Sequence, residues 1–118
     1  MFTRSGSSWS QQGSKLVGTG NTGAQIGSAS SISADGNTII GAGENDTGNM
    51  GASWVFTRSG GIWSQQGNKR IGTGNSGFAY QGSSVSISAD GNTAILGGMV
   101  ITVVWVQLGF SFPPQHFL

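Results

Sequence analysis

The sequence predicts an all-β protein built from repeated antiparallel meanders of four strands, and three observations support this fold class. Glycine is abundant and charge is scarce: the 118 residues include 22 glycines, and 8% of the side chains are charged. Glycine weakens a helix by about 1 kcal/mol relative to alanine, so this composition disfavours helices. The chain also repeats itself, and each copy carries an Asp-Gly turn between β-prone runs, which is a strong hairpin signal.

The two copies of the repeat align without gaps over a long stretch. FTRSGSSWSQQGSKLVGTGNTG begins at Phe2 and FTRSGGIWSQQGNKRIGTGNSG begins at Phe56, an offset of 54 residues. SISADGNT recurs from Ser31 to Ser86 with an offset of 55 residues, so one residue is inserted before its second copy. A period of about 50 residues is typical of kelch-like repeats. In those repeats each unit is a four-stranded blade of a β-propeller.

Each repeat predicts its strands in order. The turns at Asp35-Gly36 and Asp90-Gly91 each join a first strand to a second strand, because glycine tolerates the positive φ of a hairpin turn. In ASWVFTRSGGIWSQQ, alternation places Trp54, Phe56 and Arg58 on one face of a third strand. The following SGG turns the chain into a fourth strand. The prediction is therefore a meander of four antiparallel strands in each blade.

The phase of the repeat divides the chain into four parts. Residues 1–14 match the end of a first blade, residues 15–67 make a complete blade, and residues 69–98 make a partial blade. Residues 99–118 match neither copy. Because propellers close with about four to eight blades, we expect an incomplete propeller of about two blades. Either residues 1–14 pair with residues 69–98 in a strap-like closure, or open sheet edges favour self-association.

The best-defined part of the repeat resembles a known family. QIGSASSISADGNTIIGAG, followed by a polar loop and GASWVFTRSGGIWSQQ, resembles the FG-GAP-like repeats of bacterial multi-repeat proteins, which are related to the integrin α-chain propeller. The FG position falls at Ile26-Gly27 and Gln81-Gly82, without the aromatic residue. The resemblance covers residues 1–98 and implies propeller blades with a structural or protein-interaction role, at the cell surface or outside the cell. The N-terminal residues show no signal peptide.

The hydrophobic tail, residues 99–118, leaves two interpretations open. When the tail is read one nucleotide out of frame, the codons that span the Met99–Val100 and Trp105–Val106 junctions both encode glycine. The second of these glycines falls opposite Gly51. Residues 109–111 then become compatible with residues 54–56. The tail is thus either a frameshifted third strand, in a truncated or non-functional gene product, or an ordinary β-branched strand.

The sequence predicts no enzyme. Its acidic side chains are four in number, its only histidine is His116 in the tail, and it contains no cysteine. Nucleophilic catalysis requires a nucleophile beside an oriented base, and these residues supply no such set. A formal charge of +1 predicts no nucleic-acid partner. The longest apolar run falls short of the ~20 residues of a membrane-spanning helix.

Calcium is the cofactor that the family resemblance raises. Integrin-type repeats bind calcium in a loop of the form D-x-D-x-D-G-x-x-D, and Asp35 and Asp90 occupy the corresponding loops. Each loop keeps only one carboxylate, whereas Ca²⁺ takes six to eight oxygen ligands, several of them anionic. We therefore predict no cofactor and assign both aspartates to hairpin turns, where Asp bonds to its own backbone.

Two further features bear on partners. Glu44, Asn45 and Asp46 form a polar cluster in loop 43–50, which we predict to be an interaction loop on one rim of the blades. The aromatic residues leave two alternatives open, because they either pack between blades or form the platform of a lectin-like carbohydrate-binding module. These aromatic residues are the four tryptophans, Trp9, Trp54, Trp63 and Trp105.

Overall fold

The structure is a computed structural model that describes residues 1–73 and 79–98 together with the backbone of residues 103–107. Almost all of the regular structure in these residues is β, so the predicted all-β class is confirmed. The elements in chain order are β1 (Phe2–Ser5), β2 (Ser8–Gln11), β3 (Ala29–Ile32), β4 (Thr38–Gly43), a single helical turn α1 (Asp46–Asn49), β5 (Ala52–Ser59), β6 (Ile62–Gln65), β7 (Ser84–Ile87), β8 (Thr93–Gly97) and β9 (Val103–Gln107).

The strands form three separate sheets. Their orders are β1-β2, β3-β4-β5-β6 and β7-β8-β9, and every pair of neighbours is antiparallel. The four-stranded sheet is a meander, as the sequence predicts, and it lies within residues 15–67. The strap-like closure is not formed, because β1 pairs with β2 and β8 pairs with β7 and β9.

The Asp-Gly hairpin turns have one geometry in both repeats. Gly36 and Gly91 have φ angles of 75° and 76°, which glycine adopts without steric cost. In the first copy, Ser33 N donates to Thr38 O at 2.9 Å, and the second copy forms the equivalent bond at 2.8 Å. The repeat in the sequence is therefore also a repeat in backbone conformation.

A second turn, which precedes β3 and β7, is also repeated. Gln25 and Tyr80, which lie 55 residues apart, have φ angles of 53° and 52° although neither is glycine. Two residues later, the N–H groups of Gly27 and Gly82 donate to carbonyl oxygens at the ends of β4 and β8, at 2.9 and 3.0 Å. These bonds hold the chain against the second strand of each sheet.

The four-stranded sheet buries apolar side chains on both of its faces. On the forward face, as we name it, Ile40 and Val55 are fully buried and pack in one cluster with Leu96 of the three-stranded sheet. On the backward face, Trp54 and Phe56 form a second buried cluster. A single sheet cannot cover both of its own faces, so each cluster requires a neighbouring segment.

The tail supplies the third strand of the last sheet, in a register that differs from the frameshift alignment. In the four-stranded sheet Ile40 pairs with Val55, and in the last sheet Ile95 pairs with Trp105. Trp105 therefore takes the strand position of Val55, whereas the alignment that suggests a frameshift places Phe110 there. The rest of the tail, His116 included, lies outside the described residues.

We predict that Gly91→Ala destabilises the protein more than Gly36→Ala. Both changes place alanine at a positive φ, which costs about 1 kcal/mol. A Cβ on Gly91 would lie 3.0 Å from the buried Thr38 Oγ1, whereas a Cβ on Gly36 would meet the mobile end of Arg58 at 3.3 Å. We expect Gly91→Ala to cost about 1 kcal/mol more in urea unfolding. Equal losses would show that the two turns do not touch in solution.

Candidate functional site

The first candidate residue, Asp35, is engaged within its own turn. Its Oδ1 accepts a hydrogen bond from Ser33 Oγ at 2.7 Å and another from Asn37 N at 2.9 Å. The bond from Ser33, followed by that from Asn37, stabilises the ionised carboxylate and lowers the pKa of Asp35 below its ordinary value. The carboxylate is therefore used to fix the hairpin turn.

Asp90 repeats this arrangement in the second copy. Its Oδ1 accepts from Ser88 Oγ at 2.6 Å and from Asn92 N at 3.0 Å, and these bonds lower the pKa of Asp90 in the same order. Within the described residues there is no cluster of three or more His, Asp or Glu side chains suited to a metal ion. The structure thus places the two aspartates in separate, equivalent turns.

Asp46 has a different environment, because its side chain is completely buried. Its Oδ2 lies 2.7 Å from Lys69 Nζ and also accepts a hydrogen bond from Thr47 Oγ1 at 2.9 Å. Its Oδ1 accepts from Thr22 N at 2.6 Å. The carboxylate therefore joins three segments that are distant in sequence.

The protonation of Asp46 follows from these contacts. Burial opposes ionisation and raises the pKa, but the hydrogen bonds from Lys69, Thr22 and Thr47 together outweigh burial and leave the pKa of Asp46 below its ordinary value of 3.8. Asp46 is thus an anion at neutral pH, with a cation and two neutral donors around it. A buried charge is tolerated when it is paired and hydrogen-bonded in this way.

The rest of loop 43–50 is fixed at both ends. Asn45 Nδ2 donates to Gln25 Oε1 at 2.9 Å. At the other end, Gln81 N donates to Met50 O at 2.9 Å, which ties the loop to the chain that enters the next sheet. The loop is therefore held by contacts on both sides of its tip.

The predicted interaction residues occupy two kinds of position in this loop. Glu44 and Asn45 are half-buried, whereas Asp46 is buried and anchors the loop. The exposed tip consists of Thr47 and Gly48, whose φ angles of 49° and 60° are left-handed. The exposed part of the loop is therefore its tip, and the buried carboxylate of Asp46 holds the loop in place.

The sequence patterns did not predict the contacts of Lys69 and Gln81. The available signal for Lys69 was that lysine occupies the same repeat position at residue 15. Gln81 is fully buried, and Gly72 N donates to its Oε1 at 2.7 Å while its Nε2 donates to Gly72 O at 3.1 Å. Both ends of the Gln81 side-chain amide thus bind the backbone of Gly72.

Trp54 is a packing residue. It is completely buried, and its Nε1 donates to Thr19 O at 2.7 Å. Gly18 lies directly on the indole ring, where a Cβ at that position would collide with it. Trp54 therefore fixes the first GTGN segment to the backward face of the sheet.

Trp63 is joined to a charged neighbour and to the first hairpin. The guanidinium carbon of Arg58 lies 5.1 Å from the ring centroid of Trp63, within the range of a cation–π contact. Gln12 Oε1 accepts from Arg58 Nη1 at 2.9 Å and from Trp63 Nε1 at 3.1 Å. Through this one oxygen, the segment after β2 is bound to the β5–β6 hairpin.

Trp9 forms the equivalent pair in the first repeat but remains exposed. Arg4 lies 5.8 Å from its ring centroid, and Trp9 has 65% of its surface exposed. The side chain of Trp105 lies outside the described residues. Among the other three tryptophans, Trp54 and Trp63 are therefore committed to contacts within the protein.

The fold and these contacts define the chain as an all-β repeat protein of antiparallel sheets. It matches no protein-family model, no curated protein and no solved structure. Within the described residues, no helix has the length and apolar character required to cross a membrane.

We predict that Lys69→Met destabilises the protein by about 2 to 3 kcal/mol at pH 7, because it leaves the buried Asp46 carboxylate without its cation. Lys15→Met is the control, because Lys15 is exposed, and we expect it to change stability by less than about 0.5 kcal/mol. Urea unfolding of both variants measures the difference.

The loss of stability in Lys69→Met should depend on pH, and the direction of this dependence follows from the pKa of Asp46. The folded pKa of Asp46 lies below 3.8, so the stabilisation by the ion pair is present above that pH and is lost as the pH falls through the folded pKa. The deficit of Lys69→Met relative to the parent protein should therefore shrink in acid. A deficit that is constant with pH would contradict an ionic role for Lys69.

Proposed function

We propose that the protein is a non-catalytic β-propeller-type scaffold, in which FG-GAP-like blades have a structural or protein-interaction role. In this proposal, β1–β2 belong to blade 1, β3–β6 form blade 2 and β7–β9 belong to blade 3. The observation that carries the proposal is the way in which the second and third sheets stack. A stack of sheets with short strands presents its connecting loops along its rims.

The stacking is directional. Ala94 and Leu96 of blade 3 are the repeat equivalents of Ile39 and Gly41, which lie on the backward face of blade 2. They pack in one cluster with Ile40, which lies on the forward face of blade 2. The forward face of one sheet thus meets the backward face of the next. This relation is the one that a propeller repeats from blade to blade.

Backbone contacts join the same two blades. Ala34 N in the turn of blade 2 donates to Ala89 O in the turn of blade 3 at 3.0 Å. At the other end of the sheets, Gly51 and Gln81 form a parallel bridge, and a Cβ on Gly51 would collide with the backbone of Gln81. The two sheets are therefore joined at both ends as well as through their apolar faces.

The anchored loop 43–50 supports a role in binding proteins. Asp46, Asn45 and the bond between Gln81 and Met50 hold its ends, while Thr47 and Gly48 are exposed. A loop that is rigid before binding loses less conformational entropy when a partner docks. Loop 43–50 is accordingly the contact region that we assign to the scaffold.

The contacts of the tryptophans favour the scaffold over carbohydrate binding. A sugar platform requires aromatic faces that are open to solvent, but Trp54 is buried and Trp63 is covered by Arg58. Trp9 remains exposed, also beside an arginine. These residues therefore contribute mainly to packing between the segments of the repeat.

A double-mutant cycle tests the stacked scaffold. Ile40→Val and Leu96→Ala alter opposite sides of the contact between blades, so we expect a coupling free energy of at least about 0.5 kcal/mol in urea unfolding. Ile26→Val is the control, because Ile26 packs against the other cluster. Its effect should add to that of Leu96→Ala within about 0.5 kcal/mol. Full additivity of Ile40→Val and Leu96→Ala would mean that the sheets do not stack, and the proposal would fail.

A further inference from the structure

An apolar groove of about 640 Å³ lies between β1–β2 and the backward face of the four-stranded sheet. It is open to solvent at the point where two short strands face a wider sheet. Its lining includes Met1, Phe2, Ile32, Ile39, Gly41 and Phe56. Partly exposed apolar residues in such a groove commonly mark a binding surface.

By the repeat, the groove corresponds to the contact between the four-stranded and three-stranded sheets. In that contact, buried apolar side chains fill the space. Ile39 and Gly41 line it, and their equivalents, Ala94 and Leu96, are buried in one cluster with Ile40. Met1 is likewise the equivalent of Val55 in that cluster. In the described residues the first sheet has two strands, β1 and β2, and neither carries a counterpart of Ile40.

The third sheet carries that counterpart. Ile95 is the repeat equivalent of Ile40, on the forward face of β8, and it is 36% exposed whereas Ile40 is 0% exposed. The β7–β8 hairpin, residues 84–97, thus has the apolar residue that the groove requires. One end of the described structure offers a hairpin, and the other end offers the matching groove.

A polar contact also indicates that the two ends of the described structure match each other. Gln12 Oε1 accepts hydrogen bonds from Arg58 and Trp63, which lie on the β5–β6 hairpin of the four-stranded sheet. Gln66, which is 54 residues after Gln12, has a buried Oε1 with no partner among the described residues. By the repeat, Gln66 Oε1 is the acceptor for an Arg–Trp pair on a hairpin that takes the place, in the next sheet, of β5–β6. The exposed pair on β1–β2 is such a pair.

We propose that two copies of this chain associate head to tail, so that the β1–β2 hairpin of one copy completes the β7–β8 sheet of the other. This inference rests on the proposed scaffold and specifies its partner. In the assembled blade, Ile95 enters the groove of the second copy. Arg4 and Trp9 of the second copy donate to Gln66 Oε1 as Arg58 and Trp63 donate to Gln12.

The register of the shared blade follows from the four-stranded sheet. Ile39 pairs with Phe56 there, so Ala94 of one copy pairs with Phe2 of the other. The edge of β8 that this pairing needs is occupied by β9. Association is therefore an exchange, in which β1 of the second copy replaces β9. The strand supplied by the tail acts as an internal competitor of assembly.

A contact of this kind is heterologous, since a hairpin at one end meets a groove at the other. Such a contact leaves a free groove and a free hairpin on each growing assembly, so it produces open chains or closed rings. The full-length protein should therefore form a concentration-dependent series of oligomers in size-exclusion chromatography with light scattering. A protein that stays monomeric at every soluble concentration would overturn the inference.

Two variants block the two ends separately. Ser30 is exposed on β3 and is the equivalent of Val85, which packs in the contact between the second and third sheets, so Ser30→Lys places a charge in the groove. Ile95→Lys places a charge on the hairpin. Each variant should be monomeric by itself. Ser64→Lys, an identical change at an exposed position on β6 outside the groove, should assemble like the parent protein.

The mixture of the two blocked variants is the decisive measurement. Ser30→Lys keeps an intact hairpin and Ile95→Lys keeps an intact groove, so an equimolar mixture should form a dimer and nothing larger. Circular dichroism of each variant confirms that it is folded. Oligomers that persist in either variant by itself, or a mixture that stays monomeric, would contradict the proposal.

Gln66→Met provides a second test that does not place a charge in either surface. Gln66 Oε1 has no described partner within one chain, so this change should leave the unfolding of the monomer unaffected. It removes the acceptor for Arg4 and Trp9 of the second copy, so we expect the dissociation constant to rise about tenfold. An unchanged dissociation constant would show that Gln66 does not lie in the interface.

The double-mutant cycle of Ile40→Val and Leu96→Ala measures contacts within one chain. It therefore distinguishes failure of the scaffold from failure of this association.

Discussion

The apolar residues on both faces of the four-stranded sheet set the main constraint on this structure. Ile40 and Val55 on one face and Trp54 and Phe56 on the other face need cover that the sheet itself cannot provide. The third sheet covers the forward face, and the first hairpin with its following segment covers part of the backward face. The remaining part is the groove. Stability in such a protein therefore comes from contacts between repeats.

Glycine makes close contacts possible between segments that are distant in the chain. A Cβ on Gly82 would lie 2.6 Å from the Cβ of Ala42, and a Cβ on Gly43 would lie 2.7 Å from the Cβ of Ala24. Both distances are shorter than real carbon contacts, so glycine is required where these segments approach. The high glycine content thus serves packing between segments as well as the turns.

Polar side chains, charged and neutral, have a similar role in linking segments that are far apart in sequence. Asp46 joins the loop after β4 to Lys69 and Thr22, and Gln12 joins the end of the first hairpin to Arg58 and Trp63. These polar contacts fix the positions of loops that have little apolar surface of their own. Because they are partly or fully buried, each one is specific to one arrangement of the segments.

The sequence by itself determined the all-β class, the four-stranded meander and the equivalent turns at Asp35 and Asp90. These features depend on local patterns: alternation along a strand, glycine at positive φ, and an aspartate that bonds to its own turn. Only the tertiary structure decided the stacking of the sheets, the register of β9 and the burial of Asp46 against Lys69. Those features depend on contacts between residues distant in the chain, and local sequence patterns do not specify such contacts.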